Sequence, residues 1–366
     1  MESDSEATSA AKKLLLPAPA TARSPVPLGH GASSMGSRSR SSLLAGLASR
    51  VRRPLSGARF SREQQPSASS ETTQQPTCEQ QRGEAWMEET AGLSAQLMAR
   101  PRRVRIAILD TGIGRTLRET LRWKDSHGHG TQMASVIARL APEADISVAC
   151  VDAKGGSLGD DRIADRVAEA ITWAVRQCDA DIVSMSFGFA HERLAISKAI
   201  SAAVVERDDQ ILFFAAASNN GANHAMQFPA RHDAVISINS TDAHGKFQPT
   251  NPPQSRGGSN VFGTLGTEVL CAVPHERRDV AQSGSSVATA VASGMAASLL
   301  AFADRTNGKV ARGLRRRRGM EALFSRLSLV HADGKRNQLY VTLGKLKGIS
   351  DKQRLAVMSS ALLEAF

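Results

Sequence analysis

The chain has 366 residues and a formal net charge of +11, but the basic excess is uneven: residues 1–100 carry 12 basic and 9 acidic side chains, 101–302 carry 20 and 21, and 303–366 carry 14 and 5. The near-neutral middle argues against nucleic-acid binding by the chain as a whole and leaves any polyanion contact to the last segment. The four cysteines (Cys78, Cys150, Cys178, Cys271) show no C-x-x-C spacing, which speaks against a zinc motif and a disulfide framework.

Residues 1–100 are rich in Ser, Ala, Arg, Pro and Gln with little aliphatic periodicity, so they read as a disordered region, with a short, weakly held helix around Trp86 to Met98. The apolar run Leu14 to Leu16 stops at Pro17, too short for a signal-peptide core, and no stretch reads as long enough to span a membrane. An intracellular, cytoplasmic protein without membrane contact is the expectation.

Order is expected from Val104. Val104 to Leu109 is a β-rich run that stops at Asp110-Thr111-Gly112. A brief helical patch over 117–123 precedes Asp125-Ser126-His127-Gly128-His129-Gly130-Thr131, and Met133 to Leu140 reads as an apolar helix. Ile146 to Val151 is a strand, and the fourfold spacing of Ile163, Val167, Ile171 and Val175 predicts an amphipathic helix. Strands follow at Asp181 to Gly188, Ile211 to Ala217, Val235 to Ile238 and Val269 to Val273, with a helix at Leu194 to Val205. Ser283-Gly284-Ser285-Ser286 then opens a helix that is apolar nearly all round, hence buried.

This alternation predicts a three-layer α/β/α domain over 101–302 with a mainly parallel central sheet. A basic, largely helical extension is expected over 303–366. Ligands bind such sheets at the carboxyl ends of the strands. Asp110, Ser186 and Asn219 each lie just past a predicted strand, and His129 and Ser286 each precede an apolar helix, so one sheet edge gathers all five. Serine-based acyl transfer needs a nucleophile, a base, an orienting carboxylate and oxyanion donors, and these residue types supply them.

Taken singly, each has a plainer reading. Asp110 ends a common turn, Ser285 or Ser286 caps a helix, and Asn219 sits in an Asn-Asn-Gly turn. His127 and His129 are half a metal site without a third ligand at a convincing spacing. Gly128-His129-Gly130 departs from a dinucleotide fingerprint at Met133.

Taken together they are far more specific. Ile108-Leu109-Asp110-Thr111-Gly112, His129-Gly130-Thr131, Ser184-Met185-Ser186-Phe187-Gly188, Ala215-Ala216-Ala217-Ser218-Asn219 and Gly284-Ser285-Ser286-Val287-Ala288 resemble, in chain order, the motifs of the subtilisin-like serine peptidases, in an intracellular, fungal-type form. The resemblance covers roughly residues 103 to 302. It implies Ser286 as nucleophile, His129 as base and Asp110 as its orienting acid, with Asn219 sharing the oxyanion with the Ser286 backbone N–H. Ser186, Phe187 and Gly188 would pair with substrate backbone, and Gly155, Gly156 and Gly159 would stand near the pocket. Asp125 and His127 are read as decoys, because only His129 is followed directly by Gly-Thr. Gln132, Ser218, Ser285 and Ala290 depart from the usual His, Gly, Thr and Pro.

The function expected is therefore a serine endopeptidase acting on polypeptides, with no cofactor and no metal ion. The rival is a catalytically silent module of the same fold that binds a partner through the basic tail. The arginine-rich run from Arg312 to Arg318 reads first as a solvated helix face or exposed turn and second as a nuclear-localisation or RNA-binding patch. Oligomeric state is not legible.

Overall fold

The computed structural model describes residues 76–99, 103–113, 125–153, 161–221, 224–253, 260–274, 279–331 and 334–366. Its centre is a seven-stranded sheet in the order β2-β1-β3-β4-β5-β6-β9, parallel at every pairing. The strands are β1 (Arg105–Asp110), β2 (Asp145–Cys150), β3 (Ile182–Met185), β4 (Leu212–Ala216), β5 (Val235–Thr241), β6 (Val261–Leu265) and β9 (Gln338–Tyr340). β3 and β4 are buried at every residue, as a sheet covered on both faces requires.

Side-chain alternation builds two cores. Ile106, Ile108, Ile182, Leu212, Phe214, Ile236 and Ile238 face one side, with α2 (His129–Leu140) and α5 (Ser285–Thr306). Ala107, Leu109, Val183, Met185, Phe213 and Ala215 face the other, with α3 (Asp161–Arg176) and α4 (Leu194–Glu206). That period of two puts Asp110 on the α2 side of its strand. The α/β/α architecture read from the sequence is the one observed.

α5 has 22 residues and is buried from Val287 to Ala303. It is long and apolar enough to cross a membrane, which the sequence reading had denied of every stretch, yet 94% of its most apolar window is buried inside the protein. It is the core helix of the domain.

The expected domain limits shift at both ends. Residues Cys78–Leu97, expected to be disordered apart from a short, weakly held helix around Trp86 to Met98, form the 20-residue helix α1, opened by a capping box between Thr77 and Gln80. Met87, Leu93 and Leu97 recur at helical spacing and are buried in the same core as α5. Small residues let the helices approach, and Ser94 Oγ lies 3.4 Å from Ser298 Oγ.

The segment 303–366 is no separate appendage. α5 runs on to Thr306, β9 adds the last strand to the central sheet, and residues 76–366 belong to one compact unit. The segment also carries α6 (Gly308–Leu314), α7 (Arg317–Leu327) and α8 (Asp351–Ala365). The predicted strand at Val269 is observed, but it stands outside the central sheet. As β7 (Val269–Cys271) it pairs antiparallel with β8 (Val280–Gln282). The expected disorder over 1–75, the expected helical patch over 117–123 and the expected place of Gly155, Gly156 and Gly159 near the pocket lie outside the described residues.

Candidate active site

Five segments meet at the carboxyl edge of the sheet. β1 ends at Asp110, a residue 4% exposed. Its Oδ1 accepts the Thr111 N–H at 2.8 Å and lies 2.7 Å from His129 Nδ1. Its Oδ2 is buried with no hydrogen-bond partner among the described residues. His129 is the first residue of α2. With Nδ1 turned to the carboxylate, Nε2 is left as the ring's free nitrogen. Burial pushes the imidazole pKa down, but the hydrogen bond to Asp110 and the charges of Asp110 and Asp125 outweigh it, so the pKa stands above 6.5.

Ser285 and Ser286 are the first two residues of α5, whose N-cap is Gly284. Gly284 has φ +142°, a conformation that L side chains rarely adopt, and a Cβ there would stand 3.0 Å from the Asn219 amide nitrogen. Asn219 lies just beyond β4, and its Oδ1 accepts the Ser285 N–H at 2.7 Å. That bond orients the amide and leaves Nδ2 as a donor without a hydrogen-bond partner among the described residues. By its position in the first turn, the Ser286 N–H has no partner within the helix.

The Ser286 hydroxyl donates to the Ser186 carbonyl at 3.0 Å, and the Ser186 hydroxyl donates to the Ser286 carbonyl at 3.2 Å. This reciprocal bracket ties the start of α5 to the segment after β3. Phe187, half-buried, meets Phe189 edge to face at 6.0 Å. Among the described residues the Phe187 and Gly188 amides make no backbone hydrogen bond, so this segment has donors to spare. A Cβ on Gly188 would run into the Gln227 side chain at 2.4 Å.

The structure therefore brings Asp110, His129, Asn219, Ser186, Phe187, Gly188 and Ser286 to one edge. His127 is exposed, its ring centroid 6.3 Å from that of His129, and among the described residues it makes no hydrogen bond to Asp110. Asp125 is different. Read from sequence as a decoy, it is 2% exposed and hydrogen-bonded to both neighbours of the His129 turn. The available signal was its place three residues before an N-cap glycine that has no capping side chain of its own. Cys150 ends β2 opposite Asp110, and burial followed by the Asp125 charge pushes its thiol up to about 11, which keeps it protonated at neutral pH. Among the described residues no three His, Cys, Asp or Glu side chains converge as a metal site requires.

The comparisons with known proteins bear on the family and the fold. The chain is 33% identical over 187 residues to the subtilisin-like protease het-Q2 of Podospora anserina, covering 49% of this chain and 50% of that one. It is 31% identical over 170 residues to an intracellular serine protease of Paenibacillus polymyxa, covering 38% and 50%. The chain thus spans about half the length of these curated relatives. The prenylagaramide maturation protease PagA shares the fold with a TM-score of 0.56 at 20% identity, over 74% of this chain and 98% of that one. The profile of the Subtilase family matches residues 102–318, more than half of the sequence. The chain belongs to the subtilase family.

Proposed function

We propose that the protein is a serine endopeptidase that cleaves polypeptides through an acyl-enzyme intermediate. The observation that carries this reading is the 2.7 Å contact between buried Asp110 and His129 Nδ1, made on the sheet edge where Ser286 opens α5. Asp110 holds the imidazole in the tautomer whose Nε2 accepts a proton. The Ser286 hydroxyl rotates from the Ser186 carbonyl toward Nε2, gives up its proton and attacks the scissile carbonyl. The negative charge that forms is met by the Ser286 N–H and Asn219 Nδ2, both fixed before the reaction begins. His129 then passes its proton to the leaving amine, and a water molecule repeats the sequence to release the acyl group. Substrate backbone adds as a strand along Ser186 to Gly188, where the Phe187 and Gly188 amides make no backbone hydrogen bond among the described residues.

A silent binding module would have no use for a histidine tautomer fixed by a buried carboxylate. The intracellular setting is supported by the Paenibacillus relative and by four cysteines that are all free, with the cytoplasm as the compartment. A fluorophosphonate probe tests the function on the full chain. It should label the wild type on the peptide containing Ser286 and leave Ser286→Ala and His129→Ala unlabelled. Equal labelling of Ser286→Ala would assign the nucleophile elsewhere.

A further inference from the structure

We propose that Asp125 is a positioning residue for His129, a second buried carboxylate that fixes the turn carrying the imidazole and supplies charge to it without touching it. This rests on the serine-peptidase reading above and adds to it a residue outside the triad. Asp125 is 2% exposed and accepts four hydrogen bonds. Its Oδ1 takes the Thr111 hydroxyl at 2.9 Å and the Gly128 N–H at 2.7 Å, and its Oδ2 takes the Thr131 N–H at 2.8 Å and hydroxyl at 2.7 Å.

The placement of these bonds is the argument. Gly128 precedes His129 and Thr131 follows it by two, so one carboxylate grips the chain on both sides of the imidazole. The remaining neighbour, Gly130, donates its N–H to Thr111 Oγ1 at 2.9 Å, and Thr111 is the residue after Asp110. A closed circuit of hydrogen bonds therefore runs from the orienting acid through Thr111 and Asp125 to the turn of the base. Gly130 lies so close to the end of β1 that a Cβ there would meet the Gly112 carbonyl oxygen at 2.2 Å.

The first amides of α2 would otherwise be orphans, since Gly128 as N-cap brings no side chain. Asp125 performs the capping from three residues upstream and sets a negative charge at the positive end of the helix dipole. Among the described residues no lysine or arginine pairs with it, so its charge is not spent on an ion pair and acts on its surroundings. The other titratable or charged groups around this pair are Asp110 on β1, Cys150 on β2, Asp152 just beyond it, His127 in the same turn and Arg166 on α3. The Asp125 charge raises both His129 and Cys150.

The full chain carrying Asp125→Asn tests the proposal, with Asp125→Glu beside it. Asparagine removes the charge and leaves the Thr131 N–H without its acceptor. We expect kcat to fall roughly 10- to 100-fold with little change in KM, as small misplacements of a catalytic group do. The acid limb of kcat/KM should also move to lower pH, because the imidazolium loses a stabilising charge. Glutamate keeps the charge but displaces the turn, so its acid limb should stay near the wild-type position while kcat falls. An acid limb unmoved in Asp125→Asn would overturn the electrostatic role. If that variant does not fold, an undiminished kcat in Asp125→Glu would overturn the positioning role. The His129 ring resonances report the titration without turnover. An inactive wild type whose His129 midpoint still drops in Asp125→Asn would remove the peptidase reading and keep this one.

Discussion

The two edges of the central sheet hold buried aspartates in opposite ways. At the amino edge Asp179, Asp181 and Asp304 are each matched by arginine. Asp181, 1% exposed, receives Arg315 Nε at 3.0 Å and Arg105 Nε at 3.3 Å, and Arg315 makes a two-pronged pair with Asp304 at 2.7 and 2.8 Å. Asp179 bridges Arg105 and Arg207. Burial works against the Arg315 charge, but Asp304 and Asp181 outweigh it and its pKa is raised. At the carboxyl edge Asp110 and Asp125 are as deeply buried, yet among the described residues neither pairs with an arginine or lysine. Their charge is held by neutral donors and by a histidine that is charged only when it takes a proton. A carboxylate neutralised by arginine stabilises the fold and has little left to offer a reaction. One left uncompensated can stabilise a cation that appears only during catalysis.

The comparison also reassigns the basic tail. Of the four arginines from 315 to 318, Arg315 is buried in the amino-edge network, Arg316 pairs with Asp208 at 3.6 Å, and Arg317 pairs with Glu321 at 2.9 Å. Arg318 is exposed. Three of these four charges are thus paired within the molecule, and Arg315 lies buried rather than on a solvated face.

Breaking the carboxyl edge should have the largest effect. Asp110→Asn keeps the side-chain shape but reverses the hydrogen bond, so the imidazole is held in the wrong tautomer. We expect kcat to drop about 10⁴-fold, or about 5 to 6 kcal/mol in the barrier. The melting temperature should change little, because no ion pair with a permanent cation is lost. Steady-state kinetics beside calorimetry checks both halves, and a kcat within tenfold of wild type would remove Asp110 from the mechanism.

Breaking the amino edge should reverse that pattern. Arg315→Met leaves Asp181 and Asp304 facing each other without their shared cation, a loss of about 3 to 5 kcal/mol of stability. Activity per folded molecule should be unchanged, since no Arg315 contact reaches the catalytic edge. Denaturant unfolding with active-site titration measures the two separately. A well-folded Arg315→Met with impaired turnover would show that the two edges communicate and that their division of labour is wrong.

Much of this was legible in the sequence, and the parts that were not have a common cause. β1 to β5 and α2 to α4 announce themselves as buried runs alternating with helical spacing. Asp110, His129, Asn219 and Ser286 stand at the element ends that a parallel sheet gathers. β6 and β9 do not announce themselves, and α1 does so only over its second half, from Trp86 on. α1 mixes Gly83, Thr90 and Ser94 into its buried face, β6 is five residues with glycine at its centre, and β9 has only three residues beside a basic loop. Each is held by partners distant in the chain rather than by local preference. Asp125 was passed over for the same reason. An acid before Ser-His-Gly looks solvated until Thr111 and Thr131 close over it.

The smallest expected effect sharpens the comparison at His129 itself, where stability and activity should respond oppositely to pH. Its folded-state pKa is raised above 6.5, so protonation favours the folded state. That contribution is complete below about 6.5, the unfolded value, and is lost as pH rises through the raised folded value. The base, by contrast, works only when unprotonated, so kcat/KM should fall over the window in which this stabilisation grows. His232 acts the other way, because burial lowers its pKa, so the raw melting curve mixes the two residues. The difference in melting temperature between wild type and His129→Gln cancels His232. That difference should increase as pH falls from 8, then level off below about 6.5, while wild-type activity declines on the same side. Asp179 at the other edge keeps its arginine partners throughout this window. Burial raises its pKa and the arginines outweigh that, leaving it below the ordinary carboxylate value, so its contribution is present above that value and disappears only as pH falls through the depressed one. A melting-temperature difference that shrinks on acidification from 8 to 6.5 would mean that His129 is held neutral by its surroundings. The negative edge would then not be supplying the charge that this division between the two edges requires.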